Sequence, residues 1–330
     1  MGPLPPFGII AKNLRAGSII PFLGAGASLG TGLADSVFKS PPTGRELARL
    51  LGSVANFPYE AAEANADLGQ IASYYQEAED RLGLVQLLDQ TFDQSFDPQP
   101  LHFLLADQGP LLIVTTNYDD LIEEALRRRN RTFHLVVHPT DRLDLAASVL
   151  WWKPGEATPS AFHPSDLPLS LTDTTIIYKM HGSVDRSPGK AWSSFVVTEE
   201  DYVDFLARMA GQAAIPANFK VQFMTSRFLF LGYGLRDWNL RVLLKTIRSS
   251  SRSISGRDAA NDDQGPHGPS SDHVPRLQPA ASPLEGLRSW AIQMKPHWLE
   301  TLLWRNRGVN IYDMSLDAFT AQLSEWLTRA

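Results

Sequence analysis

Short, nearly uninterrupted apolar runs alternate with longer stretches of helix-forming residues along most of this chain. The runs at 18–23, 111–114, 175–178, 228–231 and 309–312 are rich in β-branched and aromatic residues and bounded by glycine or polar groups. They are too short for helices, so each is expected to be a strand buried on both faces. Residues 290–294 predict one more strand, followed by a helix over 296–307. Apolar strands separated by helical stretches predict an α/β fold: a Rossmann-like parallel sheet with helices on both faces and a helical insert.

The pattern also divides the chain. Residues 1–40 are expected to begin the core, and 41–100 to form a helical insert, with helix formers over 44–92 too long for a simple crossover and suited to roof a crevice. The core resumes over 101–248, interrupted by a Pro- and Trp-rich insertion at 130–173 to which no element is assigned. Residues 249–283 turn to Ser, Gly, Pro, Asp and Asn, which cannot bury enough surface to offset their ordering entropy, and are expected to be a flexible linker or loop. Residues 284–330 complete the core.

Composition narrows the classes. The 330 residues, 43% hydrophobic and 20% charged, suffice for a full α/β core with an inserted module. Thirty Lys+Arg against 36 Asp+Glu, a net charge of -6, argue against a protein that neutralises phosphate backbones, so no direct nucleic-acid binding is expected. With no cysteine there is neither a disulfide nor a thiolate zinc site, and no metal is expected. The N-terminus has no basic region leading into an apolar stretch and no run is long enough to span a bilayer, so a cytoplasmic protein with no membrane partner is expected. Pro6 makes the Met-Gly start a poor acylation signal.

Four short motifs follow strand-like runs: Gly24-Ala25-Gly26-Ala27-Ser28, Thr115-Thr116-Asn117-Tyr118-Asp119, His181-Gly182 and Gly232-Tyr233-Gly234. Loops at the carboxyl ends of parallel strands are where α/β sheets place their ligands, so the four can converge on one crevice. Gly24 and Gly26, before an expected helix, let backbone N–H groups approach a pyrophosphate, although Leu29 stands where a G-x-G-x-x-G pattern has its third glycine. Asn117 can donate to and accept from ribose hydroxyls or a water, and Asp119 can accept from a carboxamide. His181 can serve as a base near neutral pH. Taken singly, each motif also reads as a glycine turn, a turn residue or a structural histidine.

Other groups read as structural. Asp120 with Glu123 fits a helix capping box. His134 and His138 share a strand face without an obvious third metal ligand. Arg127-Arg128-Arg129 complements a helix end, and Glu199-Glu200-Asp201 is a solvated helix start.

The ordered set of motifs resembles the sirtuins. Gly24 to Ser28 is similar to their GAG-x-S loop, with Gly32 and Asp35 at the spacing of its following glycine and aspartate; Thr115 to Asp119 resembles their T-Q-N-I-D segment, and His181-Gly182 their catalytic H-G pair. The four-cysteine zinc module, the Phe-Arg pair and the F-G-E of the deacylase branch are absent, and Gly234 stands where that branch commonly has serine. The pattern, with Phe230-Leu231-Gly232-Tyr233-Gly234-Leu235-Arg236-Asp237, looks closer to the sirtuin-like NAD hydrolases of bacterial antiphage defence. That resemblance implies NAD as substrate, Asn117 and His181 as catalytic residues, and Gly24, Ala25, Gly26, Ser28, Asp35, Thr116, Asp119, Gly232 and Gly234 as its binding residues. It also implies a homo-oligomer or a separate activating protein, an ATPase or a nucleic-acid-guided sensor. Because the chain ends soon after its last expected strand and helix, activation is expected to come from a separate protein or from self-assembly. A deacylase, an ADP-ribosyltransferase and a non-catalytic nucleotide-binding subunit are the rival expectations.

Overall fold

Four of the apolar runs, at 18–23, 111–114, 175–178 and 228–231, become the centre of one sheet because each is screened from water on both faces, whereas 309–312, expected to be buried likewise, forms an edge strand with Asn310 and Tyr312 only half-buried. The computed structural model describes residues 3–29, 40–58, 67–140, 143–145, 147–187, 189–210, 215–234, 244–245 and 289–329. Strands β1 (Ile19–Leu23), β2 (Leu112–Thr115), β3 (Phe133–Val137), β4 (Val149–Trp152), β5 (Ser160–Phe162), β6 (Thr175–Lys179), β9 (Arg227–Leu231), β10 (Ser289–Gln293) and β11 (Val309–Asp313) form a nine-stranded sheet in the order β11-β10-β9-β1-β2-β6-β3-β4-β5. Every pairing is parallel except those of β4 with β3 and with β5. A two-residue ribbon, β7 (Gly182–Ser183) against β8 (Ser194–Phe195), stands apart.

Side chains alternate between two cores, as a strand period of two requires. Ile20, Phe22, Val114, Tyr178 and Phe230 pack under helices α7 (Glu199–Ala210), α8 (Ala217–Thr225) and α9 (Trp298–Arg305). Ile19, Leu23, Ile113, Ile177 and Leu231 face α1 (Phe7–Arg15), α5 (Pro100–Ala106), α6 (Leu121–Arg128) and α10 (Leu316–Thr328). The predicted α/β sheet with helices on both faces is the observed fold.

The stretch 41–100 holds α2 (Gly44–Val54), α3 (Leu68–Glu79) and α4 (Arg81–Phe92). Thr43 and Glu46 form a reciprocal capping box that starts α2, and Asp67 caps α3. Their apolar faces build a third core with Tyr118, Phe195 and Val197. Arg81 fastens this unit to α7 and to the β7–β8 ribbon, donating to Asp201 and to the Phe195 carbonyl, both at 2.9 Å.

Several expectations change. The insertion at 130–173 contains β3, which adds a parallel strand beside β6, and β4 and β5, which extend the sheet by antiparallel pairing. The glycine loop after β1 leads into one 3-10 turn over Ala25–Ser28, and residues 30–39 lie outside the described residues, as does the segment 249–283. The Asp120–Glu123 capping box does not form. Asp119 Oδ1 takes the Leu121 N–H at 3.2 Å, Asp120 pairs with Arg186 at 2.8 Å, and Glu123 turns inward to a buried lysine. Asp201 is more than part of a solvated helix start: it accepts from the Val197 and Thr198 N–H groups while Thr198 Oγ1 accepts from its own.

Candidate active site

The four motifs leave four laterally consecutive strands, β9, β1, β2 and β6. Their last residues are in register: Leu231 beside Leu23, Leu23 beside Thr115, Thr115 beside Lys179. Chain order reverses across β1, the place where an open α/β sheet leaves a crevice between diverging connections. A cavity of about 240 Å³ occupies it. Gly24, Ala25, Ser28, Thr116, Asn117, Asp119, His181, Gly232 and Gly234 line it. The structure thus brings together every predicted site residue it describes except Gly26, which packs behind the wall; Asp35 lies outside the described residues. Leu47, Leu68 and Phe92 of the helical insert close one side.

Glycine fixes the junction of β1 and β9. A Cβ on Gly24 would stand 2.7 Å from the Gly232 carbonyl oxygen, and one on Gly26 2.8 Å from it. Gly232 itself has φ +64 and a Cβ there would overlap the backbone of Gly26 and Ala27. The Gly24 N–H donates to Leu231 O at 3.0 Å and the Gly26 N–H to Gly232 O at 2.9 Å. These two amides, expected to meet a pyrophosphate, are therefore committed within the protein. The crevice is offered the surface of Ala25 instead, and open space beside Gly234.

Side chains fix the junction of β1 and β2. Asn117 Nδ2 donates to the Gly24 carbonyl and to Ser28 Oγ, both at 3.0 Å, and Ser28 Oγ donates to Asp119 Oδ2 at 2.8 Å. With both amide hydrogens used, Asn117 keeps its carbonyl oxygen as the atom with which to meet a hydroxyl or water. Burial raises the Asp119 carboxyl above the ordinary range, opposed by the Lys179 charge, the Ser28 bond and the Leu121 N–H.

Lys179, at the end of β6, is fully buried and absent from the sequence-based candidates. Its ammonium meets Glu123 at 2.7 Å, the Asp119 carbonyl at 2.6 Å and Ser183 Oγ at 3.0 Å. It therefore pins the carbonyl of the residue whose carboxylate lines the crevice. Tyr118 supports the same loop, donating to Val196 O at 2.6 Å with its ring edge-on to Phe92 and Phe195.

His181 follows β6, buried against the edges of Tyr202 and Phe205 at 5.7 and 5.4 Å between centroids. Gly182 has φ +84, and a Cβ on it would collide with the Ser194 carbonyl, so the H-G pair needs its glycine to let β7 meet β8. His134 accepts from Trp151 Nε1 at 3.1 Å while His138 packs on Phe205, so the two share a face but no ligand. Burial, then Arg208 and His181, lowers His138 from 6.5 to about 3 and keeps it neutral. Among the described residues no three His, Asp or Glu converge as metal ligands.

Comparison with known proteins agrees with this architecture. Residues 111–271 match the family described as SIR2-like domain. The chain is 27% identical to the NAD(+) hydrolase ThsA of Enterococcus faecium over 240 residues, 72% of this chain and 41% of that protein. It is 23% identical to the defense-associated sirtuin 2 of Bacillus subtilis over 239 residues, 72% of this chain and 20% of that protein. ThsA of Bacillus cereus is 26% identical over 231 residues, 69% of this chain and 40% of that protein. The chain thus spans less than half the length of these relatives. Beside the parallel sheet and its four convergent loops, these matches show that residues 111–271 are similar to the SIR2-like domain and that the chain is similar to sirtuin-like proteins.

Proposed function

We propose that the protein is an NAD+ hydrolase that cleaves the nicotinamide–ribose bond and depletes NAD in antiphage defence. The observation that carries this reading is the Asn117–Ser28–Asp119 chain in the same crevice as His181. The names of the ThsA relatives support the same chemistry.

Nicotinamide in NAD+ is already cationic, so its departure needs no general acid. The glycosidic C–N bond breaks, its electron pair stays on the ring nitrogen, and a water oxygen attaches to the anomeric carbon as a proton leaves. The protein's task is to orient the ribose and keep that water in place. Asp119 holds the carboxamide through oxygens oriented by Ser28 and Leu121. The Asn117 carbonyl oxygen positions the ribose or the water, and His181 takes the proton or polarises a ribose hydroxyl. The Ala25 turn faces the pyrophosphate, with Thr116 between the first two loops, and Gly232 and Gly234 lie along the adenosine ribose. In the cell the enzyme works in the cytoplasm, as a homo-oligomer or beside an activating protein.

Asn117→Ala and His181→Ala should each lower NAD cleavage by at least about 100-fold while leaving the thermal transition in place. Near-normal cleavage by both folded variants would end the assignment.

A further inference from the structure

Asp119, Glu123 and Lys179 are all buried in the wall between the loops that follow β2 and β6. Two are acids and one is a base, so the wall lacks one positive charge when both carboxyls are ionised. Glu123 claims the ammonium, with Oε1 2.7 Å from Lys179 Nζ. The other short bonds of Lys179 run to the Asp119 carbonyl at 2.6 Å and to Ser183 Oγ at 3.0 Å. Lys179 thus bonds the backbone of Asp119 and not its carboxylate. Among the described residues that carboxylate forms no ion pair and accepts only from the Ser28 hydroxyl and the Leu121 N–H. Hydrogen bonds of this kind orient an anion without cancelling its charge. Neighbouring groups do not supply the missing cation. Asp120 is matched by Arg186 at 2.8 Å and Arg127 at 3.6 Å. The described residues lining the crevice include no lysine, arginine or second carboxylate; beside Asp119 the titratable ones are His181, Tyr118, Tyr202 and Tyr233. Burial raises the Asp119 and Glu123 carboxyls above the ordinary range against the pull of Lys179, and Asp120 adds to the rise. A buried acid without a cation of its own is completed by a cationic ligand.

From this count we infer that Glu123, by taking up the charge of Lys179, leaves Asp119 as an unmatched anion on the crevice wall, so that the crevice selects oxidised nicotinamide dinucleotide over its uncharged reduced form. The inference rests on the crevice being the nucleotide site, with Asp119 at the carboxamide and the ring charge therefore beside it. The two forms differ by a hydride and one positive charge and share the carboxamide, the pyrophosphate and the adenosine. Hydrogen bonds to those shared groups cannot separate them, whereas the field of the wall can. Glu123 acts on the ring only through Lys179 and Asp119, which makes it a positioning residue. The same field favours release after cleavage, because nicotinamide leaves neutral while the positive charge passes to the anomeric carbon and then to the proton lost by the attacking water.

The test is calorimetric titration of the full chain at neutral pH with three ligands: ADP-ribose, the non-cleavable NAD+ analogue in which a carbocycle replaces the nicotinamide-bearing ribose, and the dihydro form of that analogue. The oxidised analogue should bind at least about tenfold more tightly than its dihydro form. Glu123→Gln frees the Lys179 charge to offset Asp119, and Asp119→Asn removes the anion itself. Each should bring the ratio of the two affinities to about threefold or less in a protein that still melts cooperatively. The ratio is the informative quantity, because a purely structural loss at Glu123 weakens both analogues alike and leaves it unchanged. Equal binding of the two analogues by the parent, or a ratio unchanged in Glu123→Gln, would overturn the inference while ADP-ribose binding left the nucleotide site standing. Failure of all three ligands to bind would overturn both the inference and the reading it rests on.

Discussion

The two junctions that β1 makes with its neighbours are built on opposite principles. Toward β9 the loops meet backbone on backbone, with Gly24, Gly26 and Gly232 leaving no room for a Cβ and the Gly24 and Gly26 amides donating to the Leu231 and Gly232 carbonyls. Toward β2 and β6 the loops are tied by side chains: Asn117 to Ser28, Ser28 to Asp119, Lys179 to Glu123 and to the Asp119 carbonyl. The first kind of junction is chemically inert and fixes shape. The second holds charge in a dry wall, and it is where the groups proposed to react sit.

Substitutions should separate the two. Lys179→Met leaves the Glu123 carboxylate buried without its cation, and it should cost about 3–5 kcal/mol in denaturant unfolding. Adding Glu123→Gln should recover part of that loss. A single variant as stable as the parent would mean that the pair does not hold the wall. Gly232→Ala, forced against the Gly26–Ala27 backbone at positive φ, should cost about 2 kcal/mol by the same measurement. An unperturbed midpoint would mean that the glycine junction is looser than its geometry.

A pH series sharpens the contrast. Burial lowers His102 to about 4, and burial with Arg208 and His181 lowers His138 to about 3, so in the folded protein both stay neutral where an unfolded imidazole, near 6.5, takes a proton. Their contribution is fully present above 6.5 and is lost as the pH falls toward 4 and then 3. The melting temperature of His138→Leu should fall less steeply than that of the parent over this window, and parallel slopes would contradict the assignment. Gly232→Ala should leave the slope unchanged, since the glycine junction carries no titrating group. The smallest effect is expected at Gly234, where a Cβ meets nothing within 4 Å. Gly234→Ser should change stability by no more than about 0.5 kcal/mol, and a larger loss on melting would show that the space is not free.

The same contrast governs what the sequence discloses. Strands β1, β2, β6 and β9 are legible because burial on both faces demands unbroken apolar runs. The four motif loops are legible because glycine, asparagine and histidine follow those runs directly. Strands β4 and β5 are not, since Val149–Trp152 and Ser160–Phe162 are pieces of four and three residues without alternation long enough to register. Lys179 escapes notice because a lysine closing a strand reads as solvated, and its partner Glu123 fits a capping box equally well on spacing alone. The bonds from Asn117 and Asp119 to Ser28 span 89 and 91 positions, and only the register of the sheet brings them together.

The central claim is tested most directly by incubating the purified chain with NAD, with and without an acetyl-lysine peptide, and resolving the products. The account predicts nicotinamide and ADP-ribose without peptide, at a rate the peptide does not raise. Acetyl-ADP-ribose formed only when peptide is present, or NAD bound and recovered intact by the full-length assembly, would contradict it.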